Sequence, residues 1–338
     1  MTTPDGETVL DTQTAPAPSP TLTRQDIRLL GVGLELGAAS RGTLMGPDAL
    51  RTAGLARVLS ELGHRVTDCG TLHEVAPVPV AMEPRLAARC RHLETIAGWT
   101  RLLHDRAFEM AEAGGVPVFL GGDHSISMGT ISGIARHCAA AGRRLAVLWL
   151  DAHADFNTPE TTPSGNLHGM ALSMLAGEAS LLGVLGDRPL HPLAPGDIQL
   201  FGSRSIDPGE RQRLVAQGLD VVDMRRIDER GVSALLAECI ARWQAEGVQL
   251  HVSFDVDFLD PAVAPGTGTV VPGGASYREA HLVMEMLCDS GLVGSVDVVE
   301  LNPFLDERGR TAVALTELVA SLFGRTVLDR RPGAVSAA

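Results

Sequence analysis

The apolar residues of this 338-residue chain form short continuous runs that alternate with longer segments of helical spacing. The runs, rich in leucine and β-branched residues, predict strands buried on both faces at residues 27–32, 116–120, 145–150, 198–201, 248–253 and 295–299. The helical spacing predicts helices at residues 47–62, 86–113, 126–141, 208–217, 232–245, 276–290 and 310–323. This alternation predicts an α/β fold with a mostly parallel, doubly wound sheet and helices on both of its faces.

The two ends of the chain differ in composition from its body. Residues 1–24 are rich in Thr, Pro and Ala and show no apolar period, so they are predicted to be a disordered tail. Residues 330–338 are predicted to be a second one. No segment between them has the composition of a linker, which predicts a single domain over residues 25–329.

Charge and cysteine content exclude several classes of protein. A formal net charge of −13 argues against sequence-independent nucleic-acid binding and is compatible with a small cationic substrate. The five cysteines are scattered without a CxxC pair, which is typical of reduced thiols in a cytoplasmic protein. The apolar runs are too short to span a bilayer, and the N-terminus has no signal-peptide pattern, so no membrane association is expected.

Acidic residues and histidines directly follow four of the predicted strands. Because the carboxyl ends of parallel strands meet at one edge of a sheet, we expect these groups to converge. The spacing D-x-H-x-D at 151–155 suits a strand end, where alternate side chains point to the same side. The converging groups are His124, Asp151, His153, Asp155, Asp255, Asp257 and Glu300.

This concentration of carboxylates predicts a metal centre. Several carboxylates in one place repel one another, and cations relieve that repulsion. Two imidazoles and four aspartates form an oxygen-rich ligand set that favours Mn²⁺ over a structural zinc. Six ligands suit two bridged ions about 3.5–4 Å apart that activate a shared water. Taken singly, Asp151 and Asp155 could be helix caps and Asp255 and Asp257 a solvated strand end, but their combination favours the metal interpretation.

Several motifs together resemble the arginase/agmatinase ureohydrolase family. They are GGDHS at 121–125, DAHADFN at 151–157, SGNLHG at 164–169, SFDVDFLDP at 253–261, APGTGTVVPGG at 264–274 and VELNP at 299–303. The resemblance extends over about residues 27–328. It implies a three-layer α/β/α sandwich, two manganese ions per subunit and assembly into a homo-oligomer, a trimer or a hexamer.

The resemblance also implies a role for each polar residue. The metal ligands would be His124, Asp151, His153, Asp155, Asp255 and Asp257, with Asp151 and Asp255 bridging the two ions. Asp155 would also carry a proton, His168 would be the proton-shuttling histidine, Glu300 would receive the guanidinium, and Thr269 would line the same pocket.

The substrate is suggested by polar residues beyond the metal ligands. By resemblance to arginases, Asn157, Ser164 and Asn166 would hold an α-carboxylate and Asp207 an α-ammonium, which implies hydrolysis of L-arginine to L-ornithine and urea. The segment APGTG is closer to agmatinases, so agmatine, guanidinobutyrate or guanidinopropionate stays open as an alternative substrate. A polar loop that only caps a helix is the structural alternative. A binuclear phosphoesterase and a non-catalytic regulator are disfavoured, because the later ligands are all carboxylates and no ligand is missing.

Overall fold

An eight-stranded, fully parallel sheet forms the centre of the computed structural model, which describes residues 24–328. Its strand order is β2-β1-β3-β8-β7-β4-β5-β6. The strands are β1 Asp26–Val32, β2 Arg65–Leu72, β3 Val116–Leu120, β4 Leu145–Leu150, β5 Ile198–Ser203, β6 Asp220–Asp223, β7 Gln249–Asp255 and β8 Val293–Val299. The predicted disordered tails, 1–24 and 330–338, lie outside the described residues apart from Arg24.

Eleven α-helices of the described chain cover the sheet. They are α1 Gly46–Thr52, α2 Leu55–Glu61, α3 Pro84–Ala87, α4 Leu93–Glu112, α5 Ser127–Ala140, α6 Ala171–Leu175, α7 Pro208–Gln217, α8 Met224–Arg230, α9 Val232–Glu246, α10 Tyr277–Ser290 and α11 Arg310–Leu322. Side chains of α4, α5 and α6 build a core on one face of the sheet, and those of α1, α2 and α8 to α11 build a core on the other. This confirms the predicted doubly wound α/β/α sandwich.

Alternation along the central strand β4 explains why its sequence is apolar throughout. Val147 and Trp149 enter one core, whereas Ala146 and Leu148 enter the other. A strand covered on both faces has no position for a polar side chain, which gives the continuous apolar run seen in the sequence.

Two strands, β2 and β6, were not predicted, and both lie at the edges of the sheet. Most side chains of β2 are exposed, so its sequence lacks the apolar run that identifies the inner strands. Two predicted helices were too long. The segment 47–62 divides into α1 and α2 at Gly54, whose φ of 92° is left-handed, and the segment 86–113 divides at His92, whose φ is 52°.

The strand order places the predicted polar groups side by side. The neighbours β3, β8, β7 and β4 occupy the middle of the sheet. They are the four strands whose carboxyl ends carry the acids and histidines, so these groups are brought to one edge of the sheet, as open parallel sheets do with their binding sites.

Two further features concern the cysteines and the helices. All five cysteines are free thiols. Among residues 24–328, no helix is both long enough and apolar enough to cross a membrane.

Candidate metal centre and active site

Three carboxylates surround one ring nitrogen of His124, which lies in a short 3₁₀ helix directly before α5. All four side chains are buried. The distances from His124 Nδ1 are 3.1 Å to Asp151 Oδ2, 3.2 Å to Asp155 Oδ2 and 3.0 Å to Asp255 Oδ2. These residues form the first cluster.

A second cluster adjoins the first and shares Asp151 with it. His153 Nδ1 lies 3.3 Å from Asp151 Oδ1 and 3.0 Å from Asp257 Oδ2. Asp151 therefore presents one oxygen to each histidine, the arrangement expected of a carboxylate that bridges two cations. Asp255, the other predicted bridge, presents Oδ2 to the first cluster, while its Oδ1 accepts the backbone N–H of Asp257 at 2.8 Å.

The surroundings of His124 Nδ1 indicate whether these side chains fit a cation. It is buried and has no hydrogen-bond partner among residues 24–328, although three carboxylates lie within 3.2 Å. The other ring nitrogen, Nε2, is hydrogen-bonded to Ser253 Oγ at 2.7 Å. Burial lowers the pKa of His124, but the surrounding carboxylates outweigh it and raise this pKa well above its usual value. The cluster thus stabilises a cation at Nδ1, and imidazole with carboxylate oxygens is a ligand set for divalent metals.

Further donors hold the carboxylates in place. The indole of Trp149 stacks on His124, with ring centroids 4.0 Å apart, and its Nε1 donates to Asp151 Oδ2 at 3.0 Å. The hydroxyl of Thr269 donates to Asp257 Oδ2 at 2.9 Å. Hydrogen bonds of this kind orient metal ligands and tune their basicity. Thr269, predicted to line the substrate pocket, therefore contacts a predicted metal ligand directly.

The backbone after β4 departs from the predicted strand geometry. The strand ends at Leu150, and Asp155 has a left-handed φ of 48°. Residues 151, 153 and 155 nevertheless reach one centre, with His153 and Asp155 in adjoining clusters that share Asp151. Glu300 also has a positive φ, 65°. Such conformations cost about 1–3 kcal/mol each in non-glycine residues and concentrate at functional sites.

The partly exposed His168 and the buried Glu300 form a pair beside the first cluster. His168 Nδ1 lies 2.9 Å from Glu300 Oε1, which also accepts the backbone N–H of His124 at 2.8 Å. Burial lowers the pKa of His168, but the hydrogen bond and the charge of Glu300 outweigh it and raise this pKa to about 9. At Glu300, burial alone would raise the carboxyl pKa. The contact with His168 outweighs burial and lowers this pKa. The pair is accordingly an imidazolium with a carboxylate in the metal-free chain.

Two of the predicted head-group residues contact each other at the start of α7. Asn157 Nδ2 donates to Asp207 Oδ2 at 3.0 Å. Glu210 joins this group to the ligand loop, because its Oε1 accepts the backbone N–H of Phe156 at 2.7 Å and its Oε2 accepts that of Asp207 at 3.1 Å. Burial raises the pKa of Glu210 to about 7.

The other two predicted head-group residues lie on the following loop. Ser164 is exposed, and its Oγ accepts the backbone N–H of the buried Asn166 at 3.2 Å. The left-handed Gly165 between them, φ 77°, comes close to the backbone of Arg89. Residues 164–166 precede His168 by only a few positions in the chain.

Sequence reasoning missed several residues that support the centre. In the sequence, Trp149 appears only as part of an apolar strand and Ser253 only as part of the motif SFDVDFLDP. No sequence pattern marks Arg204, yet its Nη2 donates to the carbonyl oxygens of Asp257 at 2.6 Å and Val271 at 2.8 Å. For Ser253 a signal existed, since it lies two residues before Asp255 on the same face of β7.

Known proteins are similar to this chain in sequence and in fold. The sequence model of the arginase family matches residues 25–324. The arginase of Agrobacterium fabrum is 52% identical over 307 residues, covering 90% of this chain and 92% of its own. The crystal structure of an arginase from Bacillus caldovelox covers 90% of this chain and 100% of its own, at 38% identity and a TM-score of 0.82. That of the Entamoeba histolytica arginase in complex with L-ornithine covers 89% and 99%, at 30% identity and a TM-score of 0.78. The chain belongs to the arginase family.

Proposed function

We propose that this protein hydrolyses the guanidinium group of L-arginine to give L-ornithine and urea, with two Mn²⁺ ions per subunit as cofactor. The observation that carries the proposal is the pair of buried His/Asp clusters that share Asp151 at the carboxyl ends of the central strands. Membership in the arginase family, with 52% identity to an arginase over most of the chain, supports the reaction.

The six clustered side chains would hold the two ions. His124 and Asp155 would bind one, His153 and Asp257 the other, and Asp151 and Asp255 both. When bound, such a pair of ions makes a water molecule nucleophilic near neutral pH. The predominance of carboxylate oxygens supports manganese, because hard oxygen ligands suit Mn²⁺ better than the sulfur and nitrogen sets of structural zinc sites.

Glu300 would orient the substrate. Its lowered pKa keeps the carboxyl group anionic, so that it can accept charge-assisted hydrogen bonds from the planar N–H groups of a guanidinium. Glu300 lies beside the first cluster, where it accepts the backbone N–H of His124. A guanidinium bound there would have its carbon held against the metal ligands, and such positioning lowers the entropic cost of reaction.

Asp155 and His168 would move protons. Hydrolysis breaks the bond between the guanidinium carbon and the side-chain nitrogen of arginine, and that nitrogen must gain a proton to leave as the amine of ornithine. Asp155 can accept the proton released by the attacking water. His168, held as an imidazolium by Glu300, can supply a proton from its ring to the leaving amine.

Four polar residues would recognise the amino-acid head group. Asp207 offers a carboxylate to an α-ammonium, while Asn157, Ser164 and Asn166 offer amide and hydroxyl groups to an α-carboxylate. The contact between Asn157 and Asp207 supports this, because it places the two kinds of group side by side. The complex of the Entamoeba relative with L-ornithine supports a substrate that carries both head groups.

A urea assay on four substrates tests the proposal. The purified chain, loaded with Mn²⁺, is offered L-arginine, agmatine, guanidinobutyrate and guanidinopropionate, and we expect L-arginine to have the highest kcat/KM. Urea from one of the other three alone would instead support the alternative guanidino substrate. Asp257→Asn should abolish most activity at limiting Mn²⁺, whereas Asp228→Asn, at an exposed position of α8, should not. Near-normal turnover of Asp257→Asn would refute the ligand assignment.

We further propose that residues 25–329 act as one catalytic domain, and that the protein is a cytoplasmic homo-oligomer, either a trimer or a hexamer. Exposed apolar side chains support an interface between subunits, among them Phe304, which is 71% exposed, and Leu305 beside it. Multi-angle light scattering of the full chain would measure the assembly, and a monomer at all concentrations would contradict it.

A further inference from the structure

A buried carboxylate lies beneath the metal centre and has no part in the chemistry proposed above. Asp297 is fully buried in β8, three residues before Glu300. Burying an ionisable group inside a central parallel strand is unfavourable unless neighbouring groups compensate for the lost hydration. The neighbours of Asp297 should therefore show how its burial is compensated.

The partners of Asp297 come from two neighbouring elements. Its Oδ2 accepts hydrogen bonds from Ser127 Oγ and Thr130 Oγ1 of α5, both at 2.7 Å. The Nε2 atom of His251, on β7, lies 3.4 Å from the same oxygen. His251 is itself fully buried and is held by Ser295 Oγ, 2.8 Å from its Nδ1. One carboxylate thus connects β8 with α5 and β7.

Each of these three elements begins or ends close to an active-site residue. Helix α5 begins three residues after His124, β7 ends at Asp255, and β8 leads directly to Glu300. The register of β7 and β8 pairs Asp297 with Ser253, whose hydroxyl is bonded to Nε2 of His124. The relative positions of the first cluster and of the guanidinium acceptor therefore depend on the packing around Asp297.

We propose that Asp297, together with His251, is a positioning residue of the metal centre, and that its contacts set the affinity of the first cluster for its ion. This inference rests on the proposed metal function. Among residues 24–328, Oδ1 of Asp297 and Nε2 of His251 have no hydrogen-bond partner. A buried ion pair is weak evidence for stability, and its unsatisfied polar atoms call for an explanation, which the geometry of the metal centre supplies here.

Manganese binding by the full-length chain, measured by equilibrium dialysis of the metal-free protein, tests the proposal. Asp297→Asn keeps the shape of the side chain but removes the charge that faces His251. We expect the wild type to bind two ions and this variant to bind at least one of them about 10- to 100-fold more weakly, the range typical for residues that orient metal ligands. His251→Asn should have the same effect.

His104 provides a matched control for His251. It is also a fully buried histidine, with its Nδ1 bonded to a serine of α5 (Ser132 Oγ, 2.9 Å) and its Nε2 without a partner in the described chain. Its hydrogen bond goes to Ser132 and not to a metal ligand or to Asp297. His104→Asn should lower the thermal midpoint but leave manganese affinity unchanged.

The outcomes distinguish a failure of the positioning role from a failure of the proposed metal function. Wild-type affinity in Asp297→Asn and His251→Asn, or an equal loss in His104→Asn, would overturn the positioning role. A wild-type chain that binds fewer than two ions would overturn the metal assignment and the inference with it. If Asp297→Asn does not fold, Thr130→Val takes its place. Weaker binding in Thr130→Val with normal binding in Thr130→Ser, which keeps the hydroxyl, supports the role, and equal binding in both overturns it.

Discussion

Replacing Trp149 by phenylalanine removes one hydrogen bond from the carboxylate that both clusters share. The indole Nε1 donates to Asp151 Oδ2 at 3.0 Å, while the ring stacks on His124. Phenylalanine keeps an aromatic ring against the imidazole but has no N–H. The substitution therefore tests how far the orientation of Asp151 depends on a donor outside the cluster.

The expected magnitude follows from the kind of bond that is lost. A hydrogen bond to an ionised group is worth about 1.5–3 kcal/mol. At about 1.4 kcal/mol per factor of ten, this corresponds to roughly 10- to 150-fold. In the metal-free chain, the backbone N–H of His153, 2.6 Å from Asp151 Oδ1, still holds the carboxylate. We therefore expect most of the loss in the ion-bound state, as weaker Mn²⁺ binding.

Equilibrium dialysis against Mn²⁺, with urea release as a second measurement, compares Trp149→Phe with Trp243→Phe. Both tryptophans are fully buried, but Nε1 of Trp243 has no hydrogen-bond partner within residues 24–328. The control thus removes the same atoms without breaking a hydrogen bond, and it should lower stability alone. Unchanged manganese affinity in Trp149→Phe, or the same decrease in both variants, would refute the reasoning.

Three further predictions concern the substrate, the loop at the site and pH. Asn157→Ala should lower kcat/KM for L-arginine by about 10- to 100-fold, since one hydrogen bond to a charged group is lost; an equal loss with agmatine, which has no carboxylate, would contradict the head-group role. Arg204→Lys should lower kcat/KM by about tenfold or more, because a lysine cannot bond the carbonyl oxygens of Asp257 and Val271 as the guanidinium does; unchanged kinetics would exclude this role. In the metal-free chain, the rise of the His168 pKa from 6.5 to about 9 corresponds to about 3 kcal/mol of unfolding free energy. This contribution is complete below about pH 6.5 and is lost as the pH rises through about 9, so urea unfolding should separate the wild type from His168→Asn near pH 6 but not near pH 10.

The inner strands and the chemical nature of the site could be predicted because their causes are local. A strand covered on both faces must be apolar at every position, and β3 and β4 have the predicted bounds. The polar residues that follow such strands stand out against the apolar runs. Their convergence then follows from the parallel arrangement, without any knowledge of the strand order.

The edge strands and the helix breaks could not be predicted for a related reason. An edge strand such as β2 is stabilised by hydrogen bonds to one neighbour, and its exposed side chains follow no apolar pattern. At His92 the chain takes a left-handed conformation although the residue is not a glycine, so the sequence gives no sign of it. Tertiary contacts, rather than the preference of the local residues, determine such positions.

The fold class, the edge of the sheet at which the site lies and the kind of ligands it offers follow from the amino-acid pattern, because apolar period and residue type are properties of neighbouring positions. Which oxygen faces which histidine depends on the three-dimensional arrangement. Asp155, with its left-handed φ, and His153 lie in adjoining clusters that share Asp151. The register of β7 and β8 places Asp297 beside Ser253. Contacts between side chains far apart in the chain depend on backbone torsions and strand register, which no local pattern encodes.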